Sequence, residues 1–175
     1  GSEMCIRDRY LILAGFTFFF CWWFVGRHGI FGAKVDWLSQ HSVLPDYFRQ
    51  QFYATGKIFP EFAPNLGGGQ NIYHFAYYGL YSPLILPSYL LPFVKMSDYI
   101  MVISITGLTV SVLLFYYWLK SRKMDTGVAF IISLMFLLAG PMIGQYSGQI
   151  MFVDYMPFLC LALIGAVSYT HLTLP

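Results

Sequence analysis

Tyr99 to Leu119 runs for 21 residues without a charged side chain, and that feature decides most of what the chain can become. As a helix rising ~1.5 Å per residue it is about 31 Å long, which matches the ~30 Å hydrocarbon core of a bilayer. Tyr10 to Gly26 and Thr126 to Ile143 repeat the pattern, also without a charge. Trp22 and Trp23 close the first stretch as interfacial anchors. The same stretch lacks the small-residue cleavage site of a signal peptide, since Phe18 to Val25 is almost wholly aromatic, so it reads as an uncleaved first helix. Gly140-Pro141 near the end of the third predicts a kink or a stop. Composition agrees: only 10% of the residues are charged, against roughly 25% in soluble domains.

The two ends read differently. Gly1 to Arg9 and Val167 to Pro175 resemble adapter-derived translation, and both are set aside from fold reasoning. Between them, residues 10–166 carry a last apolar run, 155–166, that is shorter than the ~20 residues of a spanning helix. The expected fold is therefore all-α: a polytopic integral membrane protein with complete spans at about 10–26, 99–119 and 126–143 and a truncated fourth at 155–166. On this reading the chain is the N-terminal part of a larger protein, any activity belongs to that parent, and the fragment alone is expected to be inactive.

Orientation follows from Lys120, Arg122 and Lys123 in the short connection between the second and third spans, because short cytoplasmic loops collect Lys and Arg. That places the N-terminus inside the cell and residues 27–98 outside. Ala76 to Val94 is also uncharged and rivals the other spans, but Pro83, Pro87 and Pro92 each remove a helical donor. Counting it as a span would also put the Lys120 cluster and the N-terminus on opposite sides. It is expected to be a broken, interfacial or re-entrant hairpin, its backbone covered by protein.

A connection of this length tends to be functional. Within it, Leu44, Tyr47, Phe48 and Phe52 fall at helical spacing, so Pro45 to Thr55 reads as an amphipathic helix on the membrane surface, ended by Gly56. The alternative is an aromatic stripe that simply packs. Just before it stands Asp36-Trp37-Leu38-Ser39-Gln40-His41. In a helical turn Asp36, Ser39 and Gln40 share a face, which gathers a carboxylate and two sugar-compatible hydrogen-bonding groups. A carboxylate near a low-dielectric interface is a good acceptor for a substrate hydroxyl proton. The competing reading is that Asp36 only caps the helix.

Other polar residues carry less. Asp36 and His41 point to different helical faces, so no metal site is expected, and His28 and His74 read as ordinary loop residues. Asn65 to Asn71 is glycine-rich but lacks the Lys-Ser/Thr ending of a phosphate loop; it reads as a turn, with a substrate-facing backbone nest as the minority alternative. Gln145, Gln149 and Asp154 fall on the same side as Asp36 by topology. Gln40, His41, Arg49 and Asp154 are the candidate substrate-binding residues. Cys5, Cys21 and Cys160 lie too far apart in sequence to suggest a disulfide framework or a CxxC site. A net charge of +2 without a basic stripe sets nucleic acid aside.

The order of a first helix, Asp36-Trp37 with Gln40-His41, an aromatic helix, Pro64 to Gly69 and Tyr77-Tyr78-Gly79-Leu80-Tyr81-Ser82-Pro83-Leu84 resembles the N-terminal part of the YfhO family of bacterial membrane proteins. These proteins are similar to GT-C glycosyltransferases, which take a sugar from a polyprenyl-phosphate carrier on the outer membrane face. The resemblance implies a cell-envelope polymer such as lipoteichoic acid as acceptor, and an acidic catalytic base in the first external loop, which Asp36 matches. No cofactor follows from it. Membrane lipids, the lipid-linked donor and the polymer are the expected partners. An anionic leaving group calls for nearby cations, and Arg27, Lys34, Arg49 and Lys95 are candidates, the alternative for each being interfacial snorkelling or attraction to anionic lipid. A transporter or lipid flippase would instead place ionisable residues within the spans, where none is found. A non-catalytic scaffold would need no polar cluster after the first helix.

Overall fold

The computed structural model describes residues 2–28, 32, 36–148 and 154–173. Helix α1 covers Ser2–His28, α2 Val43–Thr55, α3 Met96–Ser121, α4 Thr126–Leu137, α5 Gly140–Gly148 and α6 Met156–Thr173. Between α2 and α3 lie a two-stranded hairpin, β1 (Phe62–Ala63) and β2 (Gln70–Asn71), and two 3₁₀ helices, Ile72–Tyr78 and Leu86–Leu90. The chain is thus helical apart from one small antiparallel ladder that pairs Phe62 with Asn71 and Ala63 with Gln70.

Helix α3 is the spine, packed against α1, α4, α5 and α6. Its Leu108, Val112, Tyr116 and Leu119 are buried with Leu13 and Cys21 of α1, Ala129 and Leu137 of α4 and Met142 of α5. Tyr10 meets Tyr116 edge to face at 5.0 Å, and Phe115 stacks on Phe136 at 4.4 Å. Hydroxyls within the helices bond back one turn, Thr17 to the Leu13 carbonyl and Ser133 to the Ala129 carbonyl, both at 2.8 Å, so no polar partner outside the helix is needed. Facing away from this core, Leu11, Ile12, Phe18, Phe19 and Trp22 of α1 and Ile131 and Met135 of α4 are exposed. Lone surface apolar residues are ordinary, but a continuous exposed stripe on a long apolar helix is what lipid would cover.

Of the three complete spans expected, two helices, Arg7–Arg27 and Met96–Ser121, are long and apolar enough to cross a membrane. The third is broken. Helix α4 ends at Leu137, and Pro141, whose ring would clash with the carbonyl four residues back, stands in the first turn of α5. Two boundaries also differ. Helix α1 begins at Ser2 and α6 continues past Ala166 to Thr173, so residues set aside at both ends take helical backbone. The turn between α3 and α4 is closed by Lys120, which donates to the Met124 carbonyl at 2.9 Å and to the Thr126 hydroxyl at 2.7 Å. Asp125 caps α4 by accepting from Gly127 and Val128 backbone N–H groups, which hold its carboxyl below the usual range.

The segment between α2 and α3 packs on itself and onto the N-terminal end of α3. Helix α2 stops where Gly56 turns left-handed, its N–H bonded to the Phe52 carbonyl at 2.8 Å. The apolar face of α2, expected on a membrane surface, is covered by protein: Leu44 and Phe48 are buried with Ala63, Ile72, Leu80 and Tyr89. The packing alternative describes this face. Ala76 to Val94 is broken as its prolines require, with a short 3₁₀ helix in place of a span. Gly79 permits the tight bend between the two 3₁₀ helices: its φ is +110°, and a Cβ there would sit 2.8 Å from Ile85. Ile85 in turn packs with Trp37, Met96 and Ile100, which joins the segment to α3.

Candidate functional site

Asp36 opens a single turn of π-helix, Trp37–His41, closed by the Ser42 N–H reaching the Trp37 carbonyl five residues back at 3.1 Å. Such turns are rare and recur at functional sites because they re-aim side chains within a helix. Trp37 anchors the turn, buried against Ile85, Met96 and Ile100. The Asp36 carboxylate makes no capping hydrogen bond, so the cap reading of this residue finds no support in the geometry.

Gln40, expected on the face of Asp36, and His41, expected on another face, both meet Tyr78, and the wider π-helical turn is what brings His41 to the Asp36 side. Gln40 accepts a short hydrogen bond from the Tyr78 hydroxyl, and the His41 ring meets Tyr78 edge to face at 5.6 Å. The Asp36 charge acts on both rings. His41 is 2% exposed and its Nδ1 has no hydrogen-bond partner among the described residues; desolvation pulls its pKa down while Asp36 pulls it back up, the first effect being larger. Tyr78 is pushed up to about 12 by desolvation, by Tyr77 and by Asp36. At neutral pH the cluster therefore sets a neutral imidazole and a neutral phenol beside Asp36. Ser39, expected on the same face, is exposed.

Asp154 and Arg49 are placed in two other environments. Asp154, just ahead of α6, accepts from the Ser82 hydroxyl at 3.0 Å, and burial pushes its pKa up to about 6. It lines a cavity of about 330 Å³ together with Tyr77, Tyr81, Tyr155 and Phe158. Tyr77 belongs to this cavity while the adjacent Tyr78 belongs to the Asp36 cluster, and their rings lie 4.2 Å apart. Arg49 is buried on α2, where it donates to the carbonyls of Leu91 at 3.1 Å and Val94 at 2.9 Å and to Asp46 at 2.5 Å. These bonds commit much of its guanidinium to holding α2 against the chain that enters α3. Arg49, Asp46 and Lys95 also line a second cavity of about 390 Å³.

Of the remaining candidates, Arg27 stands over the Trp23 ring at 5.6 Å, and His74 contacts Gln70 at 3.3 Å. His28 ends α1 and Gln145 lies in α5. Lys34 and Gln149 fall outside the described residues. The Asn65 to Asn71 segment is the turn of the hairpin, with positive φ at Gly67, Gly68 and Gly69. Among the described residues no group of three His, Cys, Asp or Glu side chains gathers as a metal site. Tyr78, Tyr81 and Ser82 were not singled out from residue chemistry. Their one signal was the density of Tyr, Gly and Ser between residues 77 and 82 in a segment that neither spans nor alternates.

Residues 10–171 match the family described as bacterial membrane protein YfhO. No curated protein and no solved structure matches the chain.

Proposed function

Starting from a chain that belongs to the YfhO family of bacterial membrane proteins, we propose that it forms the acceptor-activating part of a GT-C-like glycosyltransferase. A sugar passes from a polyprenyl-phosphate carrier to a cell-envelope polymer such as lipoteichoic acid on the outer face of the membrane. Asp36 removes the proton from an acceptor hydroxyl, the oxygen attacks the anomeric carbon, and the sugar–phosphate bond breaks to release the anionic lipid phosphate with inversion. The observation that carries the reading is the convergence of Asp36, Gln40, His41 and Tyr78 on a π-helical turn, with the carboxylate not spent on a cap. The Tyr78 phenol keeps its proton and the His41 ring is buried, so the half-buried Asp36 side chain is the proton acceptor of this cluster that a substrate hydroxyl can reach.

The proposed topology has the N-terminus inside, residues 27–98 outside and the Lys120 to Lys123 turn inside, from the positive-inside rule. A transport reading is less well supported, because neither Tyr10 to Gly26 nor Tyr99 to Leu119 carries a charge to line a route. The reading is tested with membranes from cells expressing the native gene and from cells in which it is disrupted, given a radiolabelled sugar on polyprenyl phosphate. Transfer of label to envelope polymer should require the gene. Equal transfer in both membranes would overturn the proposal.

A further inference from the structure

The cavity on the far side of the Tyr77-Tyr78 pair is not needed by Asp36 chemistry, yet its walls are unusual. Asp154 is its acidic group, with Ser82 beside it at 3.0 Å, and the other walls include the rings of Tyr77, Tyr81, Tyr155 and Phe158. The single salt bridge among the described residues is Arg49 to Asp46, so no described cation pairs with Asp154. A carboxylate in an aromatic cavity, with no cation from the described residues beside it, is set up to accept hydrogen bonds from neutral hydroxyl donors. Tyr81 stacks nearly parallel on Tyr73, at 14° with centroids 6.0 Å apart, and Tyr81 is 53% exposed. An exposed aromatic ring beside a carboxylate suits a ligand with an apolar face and a polar rim, and a quaternary ammonium ion, which aromatic rings also hold, is the competing chemistry. The volume of about 330 Å³ lies at the small end of ligand pockets, roughly 300–1,000 Å³.

We infer that this cavity is a monosaccharide subsite, in which the C–H face of one hexopyranose ring lies on the Tyr81 and Tyr77 rings while Asp154 accepts hydrogen bonds from its hydroxyls. The inference rests on the glycosyl-transfer reading and deepens it. Tyr77 contacts the sugar, and its neighbour Tyr78 holds Gln40 on the turn that carries Asp36, so a ring seated here lies next to the proposed base through two adjacent residues. Asp154 then binds and orients, and Asp36 performs the proton transfer.

The test uses the purified protein in lipid nanodiscs and saturation-transfer difference NMR. The probes are methyl glycosides of glucose, galactose and N-acetylglucosamine, with tetramethylammonium as the competing chemistry. At least one glycoside should show saturable transfer to its ring C–H protons, weakened about tenfold or more in Asp154→Asn and in Tyr81→Ala. Asn keeps the size and the Ser82 partner, and Tyr81 is half-exposed, so both variants retain the core. Saturable transfer to tetramethylammonium alone, no saturable transfer to any glycoside, or transfer unchanged in both variants would each overturn the subsite. Failure here is separable from failure of the transfer reading, which is measured by turnover and by Asp36 rather than by glycoside binding.

Discussion

Replacing Asp154 by asparagine should stabilise the protein at neutral pH, and the size of the effect follows from its surroundings. Burial raises the carboxyl from its ordinary 3.8 to about 6 in the folded chain. Below about pH 4 the group is protonated both folded and unfolded, so it costs nothing. Between there and about pH 6 the folded state keeps a proton that the unfolded state has lost, and stability falls as pH rises. Above about pH 7 the cost is complete, about 3 kcal/mol at 1.36 kcal/mol per tenfold, and water reaching the cavity mouth makes this an upper bound. Asn carries no charge to desolvate and still accepts from Ser82. Thermal unfolding in detergent, followed by tryptophan fluorescence between pH 4 and 8, should show the two proteins alike at pH 4. The variant should melt higher by up to about 6–12 °C at pH 7.5, taking about 2–4 °C per kcal/mol for a chain of this size. His41 titrates in both proteins and cancels in the difference. Parallel pH profiles, or an Asn variant that melts lower at pH 7.5, would refute the claim that Asp154 is held charged at a cost to stability.

Three further outcomes follow from the packing. Arg49→Leu removes the side-chain donor from the Leu91 and Val94 carbonyls and the charge partner of Asp46, which keeps only Gln50, and should cost about 2–4 kcal/mol in denaturant titrations, with Arg49→Lys a poor rescue because one ammonium cannot fork to all three. Gly79→Ala meets both a left-handed backbone and Ile85, and should cost about 2 kcal/mol in the same titration. In a background lacking the native cysteines, a membrane-impermeant thiol reagent on intact cells should label Lys57→Cys and spare Ser121→Cys; the reverse would turn the Asp36 cluster toward the cytoplasm.

The sequence made visible what local chemistry determines. Uncharged length marked α1 and α3, Pro141 marked the break after Leu137, and Gly56 marked the end of α2. Around Asp36 local spacing puts Gln40 on its face and His41 on another, and the π-helical turn that changes the aim of His41 has no signal in the local sequence. What stayed hidden rests on contacts between residues far apart in the chain. Arg49 reads as a surface cation until the carbonyls of Leu91 and Val94, more than forty residues on, accept its hydrogen bonds. Asp154 was noted by topology alone, and nothing in its local sequence indicates Ser82, 72 residues earlier, or the tyrosines that wall it in. The 3₁₀ helices and the hairpin have no hydrophobic period to read, because their few residues are placed by Ile72, Leu80 and Ile85 entering two separate small cores. A surface-lying face for α2 failed for a related reason: an amphipathic pattern states that a face is buried and not what buries it.

The central claim is that Asp36 accepts the acceptor proton. It is tested most directly by the rate of sugar transfer from polyprenyl phosphate to envelope polymer in membranes holding equal amounts of wild-type and Asp36→Asn protein. Asn preserves size and helix-capping ability while removing the basic oxygen, so loss of a general base should slow turnover by ~10²–10⁴ with protein level and donor binding retained. Turnover of the Asn variant near the wild-type rate would contradict the account and remove Asp36 from the chemistry.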